Sequence, residues 1–414
     1  MKMRARAANR EAARNFDEAL DALDHLPPDE ANLKKKIDIR FEIRNSLQYL
    51  GEFEKIKKNL DETLPLAEEL GEPTRLGKLY SFLCSYYLRI GRSEFARQWG
   101  ERGLDLARRS GDETSQVVAH YFLGQCCQIP GKYLQAIEHL KKAESFTRGE
   151  NVGNRFGMAN PASILIRSEL VPALAEIGEF EEAISEGKEA VRIATALEHR
   201  IGHVLAYFGT GSLFLRKGDF QKAIDVLEKG LSIVRETHSF LWLPGASSAL
   251  GYAYGLAGNT QEALSLLEEA VHVAESMNFL RWQPLRVAWL AEIHLLAGET
   301  GKAVALAASA LNQARDQEEW GSHARALRLL GEIHSHPDSF DSEKAETHYR
   351  RALALAEELG MRPLQAHCHA GLGRLCQKTG REEEARTELD QAVEMYRDMG
   401  MDFFLRQAEA ALAG

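Results

Sequence analysis

The chain has 414 residues, with 61 Asp and Glu against 51 Lys and Arg and a formal net charge of −10 at pH 7, a balance that disfavours nucleic-acid binding because neutralising phosphates takes a clustered basic face. No apolar run approaches the ~18 residues of a membrane span, and the polar start MKMRARAANREAARNFDEAL has no secretory apolar core. The odd set Cys84, Cys126, Cys127, Cys368 and Cys376 reads as reduced, buried small residues, so no membrane association is expected and the cytoplasm is the expected location.

Residues 1–28 predict an unpaired N-terminal helix. Ala12, Phe16 and Ala19 have the spacing of the second helix of a hairpin whose first helix is missing, which points to a truncated half repeat or to a helix free to self-associate. Residues 29–401 predict nine helical hairpins, of which 204–238 is the clearest. There, apolar residues recur every three or four positions on both sides of Lys217-Gly218-Asp219, and the glycine suits the left-handed turn that ends a helix. Gly211, seven residues before this hinge, and Ala223, five after it, are small because the two helices cross there.

Hinge glycines recur at Gly51, Gly91, Gly131, Gly178, Gly218, Gly258, Gly298 and Gly380, mostly 40 residues apart. The one missing hinge falls near Phe340, after His336-Pro337-Asp338-Ser339, with the phenylalanine in the glycine's place. Alanine stands five residues after every hinge except the first, where Ile56 stands, and Arg44 replaces the first hairpin's other small residue. Its helices, near 31–49 and 52–70, are therefore expected farther apart. Seven extra residues within Gly149–Pro161 make the one long irregular connection, where Arg155 and Phe156 are the binding candidates. Leu243-Pro244 and Gln283-Pro284 place a proline in a first helical turn. Residues 402–414 read as a C-terminal helix capping repeat nine.

The small residues and hinges such as Gly178-Glu179-Phe180 and Gly218-Asp219-Phe220 resemble the tetratricopeptide repeat, stretched beyond its usual period of about 34 residues. The resemblance implies an all-α, right-handed superhelical solenoid of about nine hairpins, with first helices on the concave wall. Longer repeats of this kind resemble those of bacterial transcriptional activators and peptide-sensing regulators. Residues 359–412 are also similar to the C-terminal region of large bacterial proteins that join a class III adenylate/guanylate cyclase, an AAA-type ATPase and a repeat array. Neither catalytic domain lies in this chain, so neither activity carries over.

Motifs for chemistry fail on inspection. Gly298-Glu299-Thr300-Gly301-Lys302-Ala303 lacks the first glycine and the Ser/Thr of a phosphate loop. His367 and His369 point away from each other on one helix and cannot share an ion through Cys368 or Cys376. His334 and His336 with Asp338 and Asp341 are a weaker set. No catalytic residue, cofactor site or metal site is assigned, and the chain is not read as an enzyme.

What remains is the concave face. Positions one, four and five beyond the small packing residue, and three before it, select Asn45, Gln48, Tyr49, Arg89, Tyr121, Gln125 and Gln128. They further select Glu176, Phe208, Ser212, Arg216, Ser248, Tyr252, Glu292, Arg328, Glu332, Arg374 and Lys378. Amides, arginines and aromatics on such a wall suit an extended peptide or protein segment. The expected function is a non-catalytic protein- or peptide-binding scaffold, or the sensor arm of a larger bacterial signalling protein. The alternatives are a stand-alone peptide-sensing regulator and a self-assembly module acting through the N-terminal helix.

Overall fold

The structure, a computed structural model, describes residues 2–27, 29–237 and 239–413, the side chains of residues 2–9 and of Tyr49 excepted. An initial helix, α1 (Lys2–Asp24), packs on the first of nine hairpins. These are α2 (Glu30–Leu50) with α3 (Phe53–Leu70), α4 (Pro73–Arg89) with α5 (Ser93–Ser110), and α6 (Glu113–Gln128) with α7 (Tyr133–Ser145). Next come α8 (Ala162–Glu176) with α9 (Phe180–Ala196), α10 (Arg200–Lys217) with α11 (Phe220–Thr237), and α12 (Leu243–Leu256) with α13 (Thr260–Ser276). The array ends in α14 (Gln283–Leu296) with α15 (Thr300–Asp316), α16 (Trp320–Ser335) with α17 (Ser342–Glu358), α18 (Arg362–Lys378) with α19 (Glu382–Asp398), and the closing helix α20 (Asp402–Ala413). First helices touch first helices of the neighbouring repeats, so they form an inner layer with the second helices outside.

The eight hinge glycines all stand at positive φ, from 71° at Gly51 to 94° at Gly258, which frees the backbone to reverse without a Cβ clash. Repeat eight differs from expectation. A short 3-10 turn, Pro337–Ser339, reverses the chain, Phe340 lies exposed at φ −61°, and Asp341 caps α17 by accepting from the Lys344 N–H. Because that turn takes another route, no residue there replaces the glycine. A second left-handed position follows the second helix in seven of the repeats, at Gly71, Gly111, Glu198, Asn278, Glu318, Gly360 and Gly400.

The small residues act at the crossings as expected. A Cβ on Gly211 would lie 2.4 Å from Leu227 Cγ, and one on Gly251 would lie 3.0 Å from the Ala263 carbonyl oxygen. In the first hairpin Arg44 is buried at the crossing with its guanidinium 4.2 Å from the Phe82 ring centroid, and α2 and α3 pack least extensively of the nine pairs.

Beyond neighbour packing, the superhelix completes a turn and meets itself. Ser93 Oγ donates to Glu318, 225 residues onward. Hinges of the first turn abut linkers of the second: Gly51 against Met277, Gly91 against Gln317, Gly131 against Leu359, Gly178 against Met399. One apolar cluster accordingly joins Leu165 and Leu170 of repeat four to Ala366, Tyr396 and Met401 of repeat nine. The helix α20 covers repeat nine through Phe404 on Tyr396, and it also reaches repeat five, where Phe403 and Phe404 pack edge-on against Phe220.

Candidate ligand site on the superhelix axis

The concave face is narrowed, because contacts between superhelical turns bring the second half of the array over the first. The six-residue linker Met277–Trp282 crosses the axis. Pro284 stands in the first turn of α14, and ahead of it the Gln283 N–H closes a turn on the Leu280 carbonyl at 2.9 Å, with Trp282 at φ 61°. The N–H groups of Leu280 and Arg281 both donate to the Arg89 carbonyl, at 2.8 and 3.1 Å, at the end of α4. Arg281 donates to Gln125 (2.9 Å) and to both oxygens of Glu169 (3.3 and 3.0 Å). Phe279 stacks on Phe53, and Trp282 on Phe208.

Beyond this crossing lie two cavities lined by both aromatic and charged side chains, of about 50 Å³ and about 150 Å³, which share Arg216, Trp289 and Arg325 as a common wall. Both are smaller than the ~300 Å³ at the low end of drug-sized pockets. Across the shared wall, buried Glu176 accepts from Arg216 and Arg325. Burial would raise its carboxyl pKa, but the two guanidiniums outweigh that and hold it below the usual range. In the larger cavity Arg328 pairs with Glu292 at 3.0 Å and with Glu332, while Tyr252 donates to Glu292 at 2.9 Å and lies flat on Trp289. In the smaller cavity burial raises the Glu319 carboxyl and lowers Arg286 to about 10. Glu319 accepts from the Trp282 N–H at 2.7 Å and from Ser322 at 2.9 Å.

Of the residues selected from sequence, Gln128, Phe208, Ser212, Arg216 and Ser248 line the smaller cavity. Arg216, Tyr252, Glu292, Arg328, Glu332 and Arg374 line the larger. Tyr121 is buried, Gln125 is bonded to Arg281, and burial lowers Arg89 to about 10. The others lie elsewhere. Gln48 is buried and Asn45 accepts from Arg44, both in repeat one, away from the cavities; the Tyr49 side chain lies outside the described residues. Lys378 is exposed at the rim of the array, where its amine reaches the Ser335 carbonyl, because its position falls in the last turn before a hinge.

The irregular connection also corrects its assignment. Phe156 is 7% exposed, at φ 48°, and it belongs to the apolar cluster that joins repeats two to five with repeat nine, so it anchors the loop. Only Arg155 faces outward.

Sequence reasoning missed Glu169, Arg281, Trp282, Trp289, Glu319 and Arg325. Arg325 and Leu285 lie one helical turn before the position three residues ahead of the small residue, so extending the face by one turn would have found them. Arg281 and Trp282 lie in a linker, which no helical period reaches. Among the described residues no group of three or more His, Cys, Asp or Glu could hold a metal, and no helix is long and apolar enough to cross a membrane. His367 and His369 are bonded to Tyr396 (2.7 Å) and Glu388 (2.6 Å).

Fold and axial site together define an all-α solenoid of tetratricopeptide-like hairpins. The tetratricopeptide-repeat family profile matches residues 166–236 and 338–398. No curated protein sequence matches the chain. Among solved structures, the chain is similar to a Rap protein complexed with Competence and Sporulation Factor, with 14% identity, 88% of this chain and 99% of that chain covered, and a TM-score of 0.65. It is also similar to the Rap conjugation gene regulator of plasmid pLS20 in complex with the Phr* peptide (15%; 86% and 96%; 0.56). A third likeness is the apo quorum sensor NprR from B. thuringiensis (16%; 88% and 99%; 0.50).

Proposed function

We propose that this chain is a non-catalytic peptide sensor whose ligand enters the superhelix axis. One observation carries the proposal: residues from seven successive repeats, three to nine, and from α20 converge on two adjacent cavities walled by stacked aromatics and paired charges, the mix that grips a peptide's side chains and backbone. The pLS20 Rap regulator, solved with a peptide, supports it by likeness of fold. Since both cavities are small, binding is coupled to separation of the superhelical turns, and that movement is the output. A stand-alone regulator of this kind fits the full-length likeness to the Rap protein. In the cyclase- and ATPase-linked setting that residues 359–412 resemble, the same movement would act on domains joined to the array.

The test is isothermal titration of the full chain against fractionated cell-extract peptides, repeated with Tyr252→Ala and Arg216→Ala. Saturable binding that both substitutions weaken supports the proposal; binding indifferent to both removes it. Self-association through residues 1–28 is a separate proposal, favoured by the open groove of about 580 Å³ that α1 leaves against α2 and α3. Light scattering with and without those residues decides it.

A further inference from the structure

The linker Phe279–Trp282 lies in the interior as a bound peptide would. It docks the Leu280 and Arg281 N–H groups on one carbonyl of another turn, and it seats Phe279, Arg281 and Trp282 in separate places. The Arg89 carbonyl is one of the orphan acceptors at a helix C-terminus, where the end of the helix carries partial negative charge. Glu169 adds a full charge beside it, with a side chain only 15% exposed. This wall suits a cationic group flanked by rings: Phe53 takes Phe279, Phe208 takes Trp282, and Gln125 with Glu169 takes the guanidinium.

The linker is also an imperfect occupant. Trp282 stands at φ 61°, a left-handed conformation that strains a bulky residue. Arg281 Nε is buried without a hydrogen-bond partner. Both defects follow from the tether, since the chain must turn into α14 directly after Trp282. A free peptide has no such obligation.

We propose that the wall of Arg89, Gln125, Glu169 and Phe208 is a binding site for a peptide bearing an arginine between large apolar side chains, and that residues 279–282 are its resident occupant. This rests on the peptide-sensing proposal and specifies its ligand class. The incoming peptide displaces the linker, and with it the contact that ties repeat seven to repeats two to four. Glu169, which holds the Arg281 guanidinium, selects against acidic peptides.

The experiment uses the full chain and a fluorescein-labelled, end-blocked peptide of sequence NFLRWQ, with NFLEWQ as control. A tethered competitor acts at roughly millimolar effective concentration, so removing it should strengthen peptide binding by tenfold or more (about ten). The double variant F279A/R281A is expected to bind NFLRWQ at least about tenfold tighter than wild type and to discriminate against NFLEWQ. Equal binding by the two proteins, or no binding by a variant with wild-type circular dichroism, overturns the inference. Should that variant fail to fold, hydrogen exchange on the wild type with millimolar NFLRWQ replaces it. Loss of protection at the Leu280 and Arg281 amides supports displacement, and unchanged protection overturns it. A peptide from the extract screen that binds the axis with those amides still protected would sink this inference and leave the sensor proposal standing.

Discussion

Glu176 is the place to test whether the axis is closed. Its carboxylate sits on α8 of repeat four and accepts from Arg216 of repeat five and from Arg325 on α16, 149 residues away in repeat eight. Its side chain is 7% exposed. Glu176→Ala strands two guanidiniums in a space that water reaches poorly, and removing one partner of a buried ion pair typically costs ~3–5 kcal/mol. Most of that penalty falls on contact between superhelical turns, because each hairpin keeps its own crossing. The expected result is lost stability in urea, an increased radius of gyration by small-angle scattering, and unchanged helix content. Two probes are needed, since a repeat array need not unfold in one step. A triple variant with apolar residues at 176, 216 and 325 should recover much of the loss, as buried pairs often exchange for packing at little cost. The carboxyl pKa is depressed, so its contribution is present above the unfolded value near 4.3 and is lost as pH falls below it. Glu176→Ala within about 1 kcal/mol of wild type, with an unchanged radius, would mean a solvated pair and refute the closed axis.

Three further perturbations follow from the packing. Gly211→Ala drives a methyl into Leu227 and should cost ~1–3 kcal/mol, whereas Gly301→Ala, with nothing within 4 Å, should gain about 0.5 kcal/mol from helix propensity; urea midpoints separate the two signs. Glu198→Gly relieves a non-glycine residue at φ 48° and should raise stability by up to ~1 kcal/mol, read as a higher midpoint. Burial lowers His120 to about 4, with His139 2.9 Å away between their Nδ1 atoms and also lowered. Below the unfolded value near 6.5 the unfolded chain binds more protons, so stability should fall by up to about 1.4 kcal/mol per pH unit through His120 down to about pH 4, with His139 acting in the same direction. Denaturation at pH 7.5 and 5 should show that slope reduced in His120→Gln.

The hairpins were legible because each depends on residues a few positions apart. Gly211 and Ala223 are small for a reason that lies within one unit, and the 40-residue spacing repeats that reason along the chain. The inner face was legible for the same reason, and residues such as Ser212, Tyr252 and Arg328 do reach the axis. What stayed hidden is the contact between turns. Nothing local in Met277 or Leu359 marks it as the neighbour of Gly51 or Gly131. Phe156 was misplaced because a loop aromatic looks available until the core beneath it is known. Arg281 and Trp282 were passed over because they follow no helical period.

Closure between turns changes how the repeats of such an array are coupled. In an open solenoid each repeat answers to its neighbours, but here repeats one to five are also in register with repeats six to nine and α20. The C-terminal end of that seam is held by Phe403 and Phe404 against Phe220, and by Lys217 donating to the Gly400 carbonyl. Phe404 also stacks on Tyr396 and lines the larger cavity, so one ring joins the end of the array to the axial site. Phe404→Ala should therefore loosen α20 and the hinge at Gly218 together. Hydrogen exchange should rise in residues 399–413 and 214–220, while the Leu280 and Arg281 amides, tied to Arg89 farther along the seam, keep their protection. Such a graded result means that the turns separate from an end, and that a ligand at the larger cavity can act on the C-terminal helix without unseating the linker. Simultaneous loss of protection at Leu280 and Arg281 would show instead that the seam opens as one unit, and the two cavities would then have to fill together.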